Sequence, residues 1–229
     1  MTSVEENILK NLSVDCVIFG FKNQELNVLL IKLNVDPSKG EWALPGGNIK
    51  IDEDLDEAAR RVLFELTSVE NLFMEQFYTF GDVNRFPLFR VITIAYYALV
   101  KPERYKLFPG PKASEVKWFK MQEIPVLPFD HDNILREALK QLQRNIRYNP
   151  IGFELLPKKF TLTELQSLYE CILGYELDKR NFRKKILSMN LLKKLDEKQM
   201  DVAHRRPHLY SFDKKNYKLL KQRAFNFEL

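Results

Sequence analysis

The stretch Pro45-Gly46-Gly47-Asn48-Ile49-Lys50-Ile51-Asp52-Glu53-Asp54-Leu55-Asp56-Glu57-Ala58-Ala59-Arg60-Arg61-Val62-Leu63-Phe64-Glu65-Leu66 decides how the first part of the chain folds. From Asp54 onward its apolar residues are Leu55, Ala58, Ala59, Val62, Leu63 and Leu66, the stripe of an amphipathic helix laid on a core. Ahead of the helix, Trp42-Ala43-Leu44 reads as a short strand and Asp36-Pro37-Ser38-Lys39-Gly40 as a turn. Val14–Phe21 and Leu26–Ile31 are β-branched, apolar runs joined at Asn23-Gln24-Glu25, which predicts a hairpin. Further strands are expected at Phe73–Phe80, Arg90–Val100 and Glu115–Phe119, with a helix from about Asn133 to Asn145. Strands mixed with two helices point to an α/β or α+β domain.

Tyr148-Asn149-Pro150-Ile151-Gly152-Phe153 interrupts this pattern and divides the chain into domains at 1–149 and 150–229. Beyond the break, Thr161-Leu162-Thr163-Glu164 is a capping box opening a helix with Leu165, Leu168, Tyr169 and Ile172 on one face. Gly174 ends that helix, and Asp178 caps a second one, Lys179 to Met189, with Phe182, Ile186 and Leu187 sharing its inner face. Asp201–Phe212 then reads as two short strands around a basic tip. Helix, turn, helix and hairpin in that order predict a winged helix-turn-helix.

Charge separates the same two regions. Residues 1–150 hold 19 Lys/Arg against 21 Asp/Glu, whereas residues 151–229 hold 17 against 10, so the basic excess lies in the last third. That asymmetry suits a region that meets a polyanion. No apolar run is long enough for a membrane span, the first ten residues do not read as a signal peptide, and Cys16 and Cys171 look like reduced core residues. A cytoplasmic protein is the expectation. His204 and His208 lack a neighbouring cysteine, so neither a metal site nor a cofactor is expected.

Five residues separate Gly47 from Glu53, and seven separate Glu53 from Arg61. This spacing resembles the Nudix box, G-x5-E-x7-R-E-U-x-E-E-x-G-U, with U a bulky aliphatic residue. The resemblance implies a Nudix-like α/β/α sandwich over about residues 12–145. In active relatives the box glutamates hold Mg²⁺ against a diphosphate, which needs oxygen ligands. Here the corresponding positions are Val62, Glu65 and Leu66, and Ser68 replaces the later glycine. Two carboxylates have become hydrocarbon, so no catalytic residue is expected and the domain reads as a binding scaffold.

In the second helix, Lys179, Arg180, Asn181, Arg183 and Lys184 are expected to face outward, where Arg and Asn suit guanine and adenine edges and lysines suit phosphate. His204, Arg205 and Arg206 form the expected wing tip. Taken with Ala58–Thr67, Val91–Leu99, Phe160–Gln166 and His208–Asp213, the chain resembles the Nudix-related transcriptional regulators (NrtR/AraR-like), a group of NAD-metabolism repressors and sugar regulators. The resemblance implies an α+β protein that binds operator DNA as a homodimer and holds a small effector in its Nudix domain. Arg85-Phe86-Pro87-Leu88-Phe89-Arg90 departs from the Asp-Pro-Arg-like turn of ADP-ribose-binding members, which favours a pentose such as arabinose over ADP-ribose. Lys32, Asn48, Lys50, Glu65, Arg85 and Arg90 are the expected effector-binding residues. The competing readings are a Nudix hydrolase of a nucleoside diphosphate derivative such as ADP-ribose, and an RNA- or protein-binding adaptor.

Overall fold

A computed structural model describes residues 8–199 and 206–222. The chain divides into two compact units, residues 1–140 and 141–229.

The first unit is built on a seven-stranded mixed sheet in the order β3 (Trp42–Ala43), β2 (Glu25–Leu33), β1 (Ile8–Lys22), β6 (Ile92–Val100), β5 (Glu75–Phe80), with β4 (Gly46–Lys50) also paired to β1 and β7 (Ala113–Lys120) to β2. The long β1 (Ile8–Lys22) turns into β2 (Glu25–Leu33) through Asn23 and Gln24, both at positive φ, the two-residue connection whose twist matches its strands. β3 (Trp42–Ala43) pairs with β2, and β4 (Gly46–Lys50) pairs antiparallel with β1. The residues after Pro45 therefore form a strand as well as a turn. β5 (Glu75–Phe80) is antiparallel to β6 (Ile92–Val100), which runs parallel to β1, and β7 (Ala113–Lys120) closes against β2.

Side chains alternate across a strand, so β1 serves two faces. Val14, Cys16 and Ile18 join Leu29, Ile31, Ile94, Tyr96 and Ala98 in one core, filled from above by Ala58, Ala59, Val62, Leu63 and Leu66 of α1 (Leu55–Thr67). A capping box between Asp54 and Glu57 starts α1, and Tyr96 Oη donates to Asp56 at 2.8 Å, tying its first turn to β6. Ser68 ends the helix at φ 59°. The last carbonyls are satisfied by a loop: Phe108 N donates to Thr67 O and Gly110 N to Leu66 O. Ser13, Asp15, Val17 and Phe19 point to the opposite face.

α2 (His131–Tyr148) crosses the division between the units, which falls ahead of the Asn149-Pro150 break. Its final turns belong with the second unit because Gln143 Nε2 donates to Ile172 O and Leu173 O at 3.1 and 3.2 Å. After a 3-10 turn at Ile151–Leu155 come α3 (Leu162–Leu173), α4 (Lys179–Ser188), β8 (Leu192–Lys198), β9 (His208–Phe212) and α5 (Lys214–Gln222). The Thr161–Glu164 capping box is formed, and Gly174 takes φ 79° to turn the chain toward α4. Leu165, Leu168, Tyr169, Ile172, Phe182 and Ile186 make the core of this unit.

Two expectations change here. The first wing strand is Leu192–Lys198, ahead of the Asp201–Phe212 stretch; its solvated Lys193-Lys194 and Asp196-Glu197-Lys198 hid a strand that is stabilised by pairing with β9. Leu187 is 42% exposed, because only Phe182, Ile186 and the following Met189 point inward. His204 and Arg205 lie outside the described residues.

Gly110 has no room for a side chain, since a Cβ there would overlap the backbone carbonyl of Glu65. Backbone cannot swing away as a side chain can. Gly110→Ala is expected to destabilise the chain by about 2–3 kcal/mol, read as a lower urea midpoint at unchanged slope.

Candidate functional site

The loop between β4 and α1 is held by Arg61. Its Nε donates to Glu53 Oε2 at 2.6 Å and its Nη2 to Glu53 Oε1, a bidentate pair, while Nη2 also reaches Asn48 O at 2.9 Å and Nη1 reaches Glu65 Oε2 at 3.0 Å. Lys50 N donates to Glu53 Oε1 at 2.7 Å. Hydrogen bonds from Arg61 hold the Glu53 carboxyl below its ordinary pKa, and the same bonds raise that of Arg61. Glu65 is engaged twice, by Arg61 and by Lys50 Nζ at 4.0 Å.

A divalent cation would need several oxygens at this place. Val62 and Leu66 are 3% and 5% exposed and belong to the core, and a Cβ on Gly47 would meet Val62 Cγ2 at 3.2 Å. With Glu65 already neutralised by two cations, the residues present do not fit Mg²⁺. Among the described residues no cluster of three His, Cys, Asp or Glu side chains could hold a metal.

A different feature of the first unit can hold a ligand. A cleft of about 1120 Å³ is lined by Tyr78 and Phe80 of β5, by Asp82 and Arg85 of the following loop, and by Phe129, Asp130, Asn133 and Glu137 at the start of α2. One ion cluster builds its wall. Arg85 Nε donates to Asp130 Oδ2 at 2.9 Å, and Nη2 donates to Asp130 Oδ1 at 2.8 Å and to Asp15 Oδ2 at 3.2 Å. His131 Nδ1 accepts from Leu44 N at 3.1 Å, leaving the Nε2 side toward Asp15 Oδ1 at 3.7 Å. Burial lowers the His131 pKa, and the carboxylates of Asp15 and Asp130 oppose that shift. The glycine at 46 is required, because a Cβ there would overlap Asp15 Oδ1. The cleft thus offers aromatic walls, several carboxylate acceptors and one guanidinium. That chemistry suits a stacked ring system carrying hydroxyl or amine donors.

Of the residues expected to bind an effector, Arg85 lines this cleft. Asn48, Lys50 and Glu65 gather instead around Arg61, Lys32 pairs with Glu115 at 2.8 Å beside Trp42, and Arg90 is exposed with its carbonyl accepting from Asn11. Sequence reading missed Asp15, Asp130 and His131. The available signal was Asp15 itself, a charge set inside the apolar run Val14–Phe19, which a strand core tolerates only with a partner.

In the second unit, Asp178 caps α4 by accepting from Asn181 N at 2.7 Å. Lys179, Arg180, Asn181 and Lys184 are exposed. Arg183 is half-buried and its Nη2 donates to Thr163 Oγ1 at 3.0 Å, so it braces α4 against the start of α3. Arg206 lies between the wing strands, where Gln199 N donates to Pro207 O.

Restoring carboxylates on α1 conflicts with its packing. The double substitution Val62→Glu, Leu66→Glu is expected to cost about 2–4 kcal/mol by chemical denaturation, because both side chains would enter hydrocarbon.

Comparison with known proteins completes the description. The NUDIX domain family matches residues 9–142, and the NrtR DNA-binding winged helix domain matches residues 152–212. The chain is 33% identical over 211 residues to the ADPR responsive transcriptional repressor NtrR of Acinetobacter baylyi, covering 90% of this chain and 83% of that one. The crystal structure of Shewanella oneidensis NrtR with a 27mer DNA superposes at a TM-score of 0.73, with 30% identity over 94% of this chain and 97% of that one. The NUDIX domain of the same NrtR, crystallised with ADP ribose, matches at a TM-score of 0.53 and 32% identity, covering 62% of this chain and 99% of that domain. A sheet carrying a Nudix helix, followed by a winged helix of this type, places the chain in the NrtR-like family of Nudix-related transcriptional regulators.

Proposed function

We propose that the protein is a transcriptional repressor that binds operator DNA through its winged helix and is controlled by ADP-ribose held in the 1120 Å³ cleft. The cleft carries this reading. Its volume exceeds the range of roughly 300–1,000 Å³ that buries a drug-sized ligand, far more than one sugar ring fills. Tyr78, Phe80 and Phe129 suit an adenine ring, and Asp82 and Glu137 accept from ribose hydroxyls beside the wall that Arg85 builds with Asp15 and Asp130. The printed names of the Acinetobacter baylyi repressor and of the crystallised NrtR NUDIX domain mention ADP-ribose, which supports the same choice over arabinose. The Phe86–Phe89 turn is compatible with it, since Phe86 packs against Phe129 with ring centroids 5.0 Å apart, backing the aromatic wall.

Hydrolysis is not part of this function, because α1 presents Val62 and Leu66 where the box has carboxylates. DNA binding draws on the exposed Lys179, Arg180, Asn181 and Lys184 and on the +7 charge of residues 151–229. Arg183 and Glu65 act as braces, and Arg206 adds positive charge ahead of β9, next in sequence to His204 and Arg205. A homodimer presents two such helices to a repeated site.

ADP-ribose at a hundred times its dissociation constant is expected to stabilise the chain by about 2.7 kcal/mol in a thermal-shift measurement. Arabinose is expected to leave the midpoint unchanged, and Mg²⁺-dependent release of AMP at enzymatic rates would overturn the proposal. Arg180→Ala is expected to lose about 1–3 kcal/mol of discrimination between operator and random duplex, measured by competition binding, with its thermal midpoint unchanged.

A further inference from the structure

We infer that Leu187 is a base-reading residue that selects the C5-methyl group of a thymine. The inference rests on the DNA-binding role proposed for α4. Residues three and four apart on a helix are neighbours, so Arg180, Lys184 and Leu187 form one row along α4. Phe182, Ile186 and Met189 mark the buried side, and the row lies across the helix from them. Arg183, on one flank of this row, is bonded to Thr163, and the other flank, with Asn181, Lys185 and Ser188, borders a groove of about 450 Å³ that Lys184 also lines.

Within this outward row Leu187 is the apolar member. It is 42% exposed, unlike Phe182 and Ile186 on the buried side. A single exposed leucine is ordinary on a protein surface. Its place in line with an arginine and a lysine, on the helix positioned to meet DNA, is what gives it a role. In the major groove guanine offers acceptors to Arg and Lys, and the thymine methyl is the apolar feature of the base edges. Four and three residues along a helix rise about 6 and 4.5 Å, against about 3.4 Å per base-pair step on one strand, so the row spans adjacent or next-adjacent base pairs. Arg180 and Lys184 then favour guanines, and Leu187 favours a thymine displaced from them along the groove.

The test uses the full chain. Duplexes selected from a random pool are resynthesised with each thymine replaced in turn by deoxyuridine, which removes one methyl and keeps every hydrogen-bonding group. The unsubstituted protein is expected to lose about fourfold in affinity at one thymine, the worth of one buried methyl-sized group. Leu187→Ala is expected to bind both duplexes equally, at the affinity the unsubstituted protein shows for the deoxyuridine duplex, with an unchanged thermal midpoint. Insensitivity of the unsubstituted protein at every thymine, or an equal loss in both proteins, overturns the role of Leu187 while leaving DNA binding intact. Failure to enrich any duplex overturns the DNA-binding reading and this inference with it.

Discussion

The first unit depends on the pairing of Arg85 with Asp15 and Asp130. Asp15 sits inside the buried apolar run Val14–Phe19 of β1, where an unpaired carboxylate is very costly. Arg85 reaches it from the loop after β5, and the same guanidinium holds Asp130 at the entrance to α2. One side chain therefore joins a central strand, a loop and a helix start. Their convergence forms the wall of the cleft. Because buried ion pairs gain little over well-packed hydrocarbon, the cluster makes better sense as a device for placing polar groups beside a ligand than as a source of stability.

The opposite face of the sheet tells the complementary story. There the box sequence keeps the Glu53–Arg61 pair and with it the loop geometry, while Val62 and Leu66 extend the apolar stripe into the core. Arg61 and Lys50 supply positive charge around Glu65. Along that stripe Ala58, Ala59, Val62, Leu63 and Leu66 of α1 are all buried. The cleft is built from residues on the other side of the sheet, so hydrocarbon at Val62 and Leu66 leaves its aromatic and acidic lining untouched.

In the second unit the division of labour on α4 is set by helical geometry. Phe182 and Ile186 bury one side, Arg183 ties α4 to the first turn of α3, and the remaining side is free to face a partner. The braces matter because reading base edges requires a side chain row held at a fixed angle. Gly174 and Asp178 fix that angle from the turn, the first by its left-handed conformation and the second by capping.

Much of this was legible in the sequence because it is local. Periodicity placed α1 and α3, capping residues marked where both begin, and the Gly47–Glu53–Arg61 spacing announced the loop. The replacement of carboxylates at Val62 and Leu66 could be read directly. Elements stabilised by distant partners were not legible: β4 and the first wing strand look like turn and solvated charge until β1 and β9 pair with them. Leu187 was assigned inward by periodicity, but a turn of helix has room for only so many inward positions, and Met189 takes that place. The cleft belongs wholly to tertiary structure. Asp15, Arg85 and Asp130 are separated by 70 and 45 residues, and nothing in their local sequence can say that one charge will be buried against the other two.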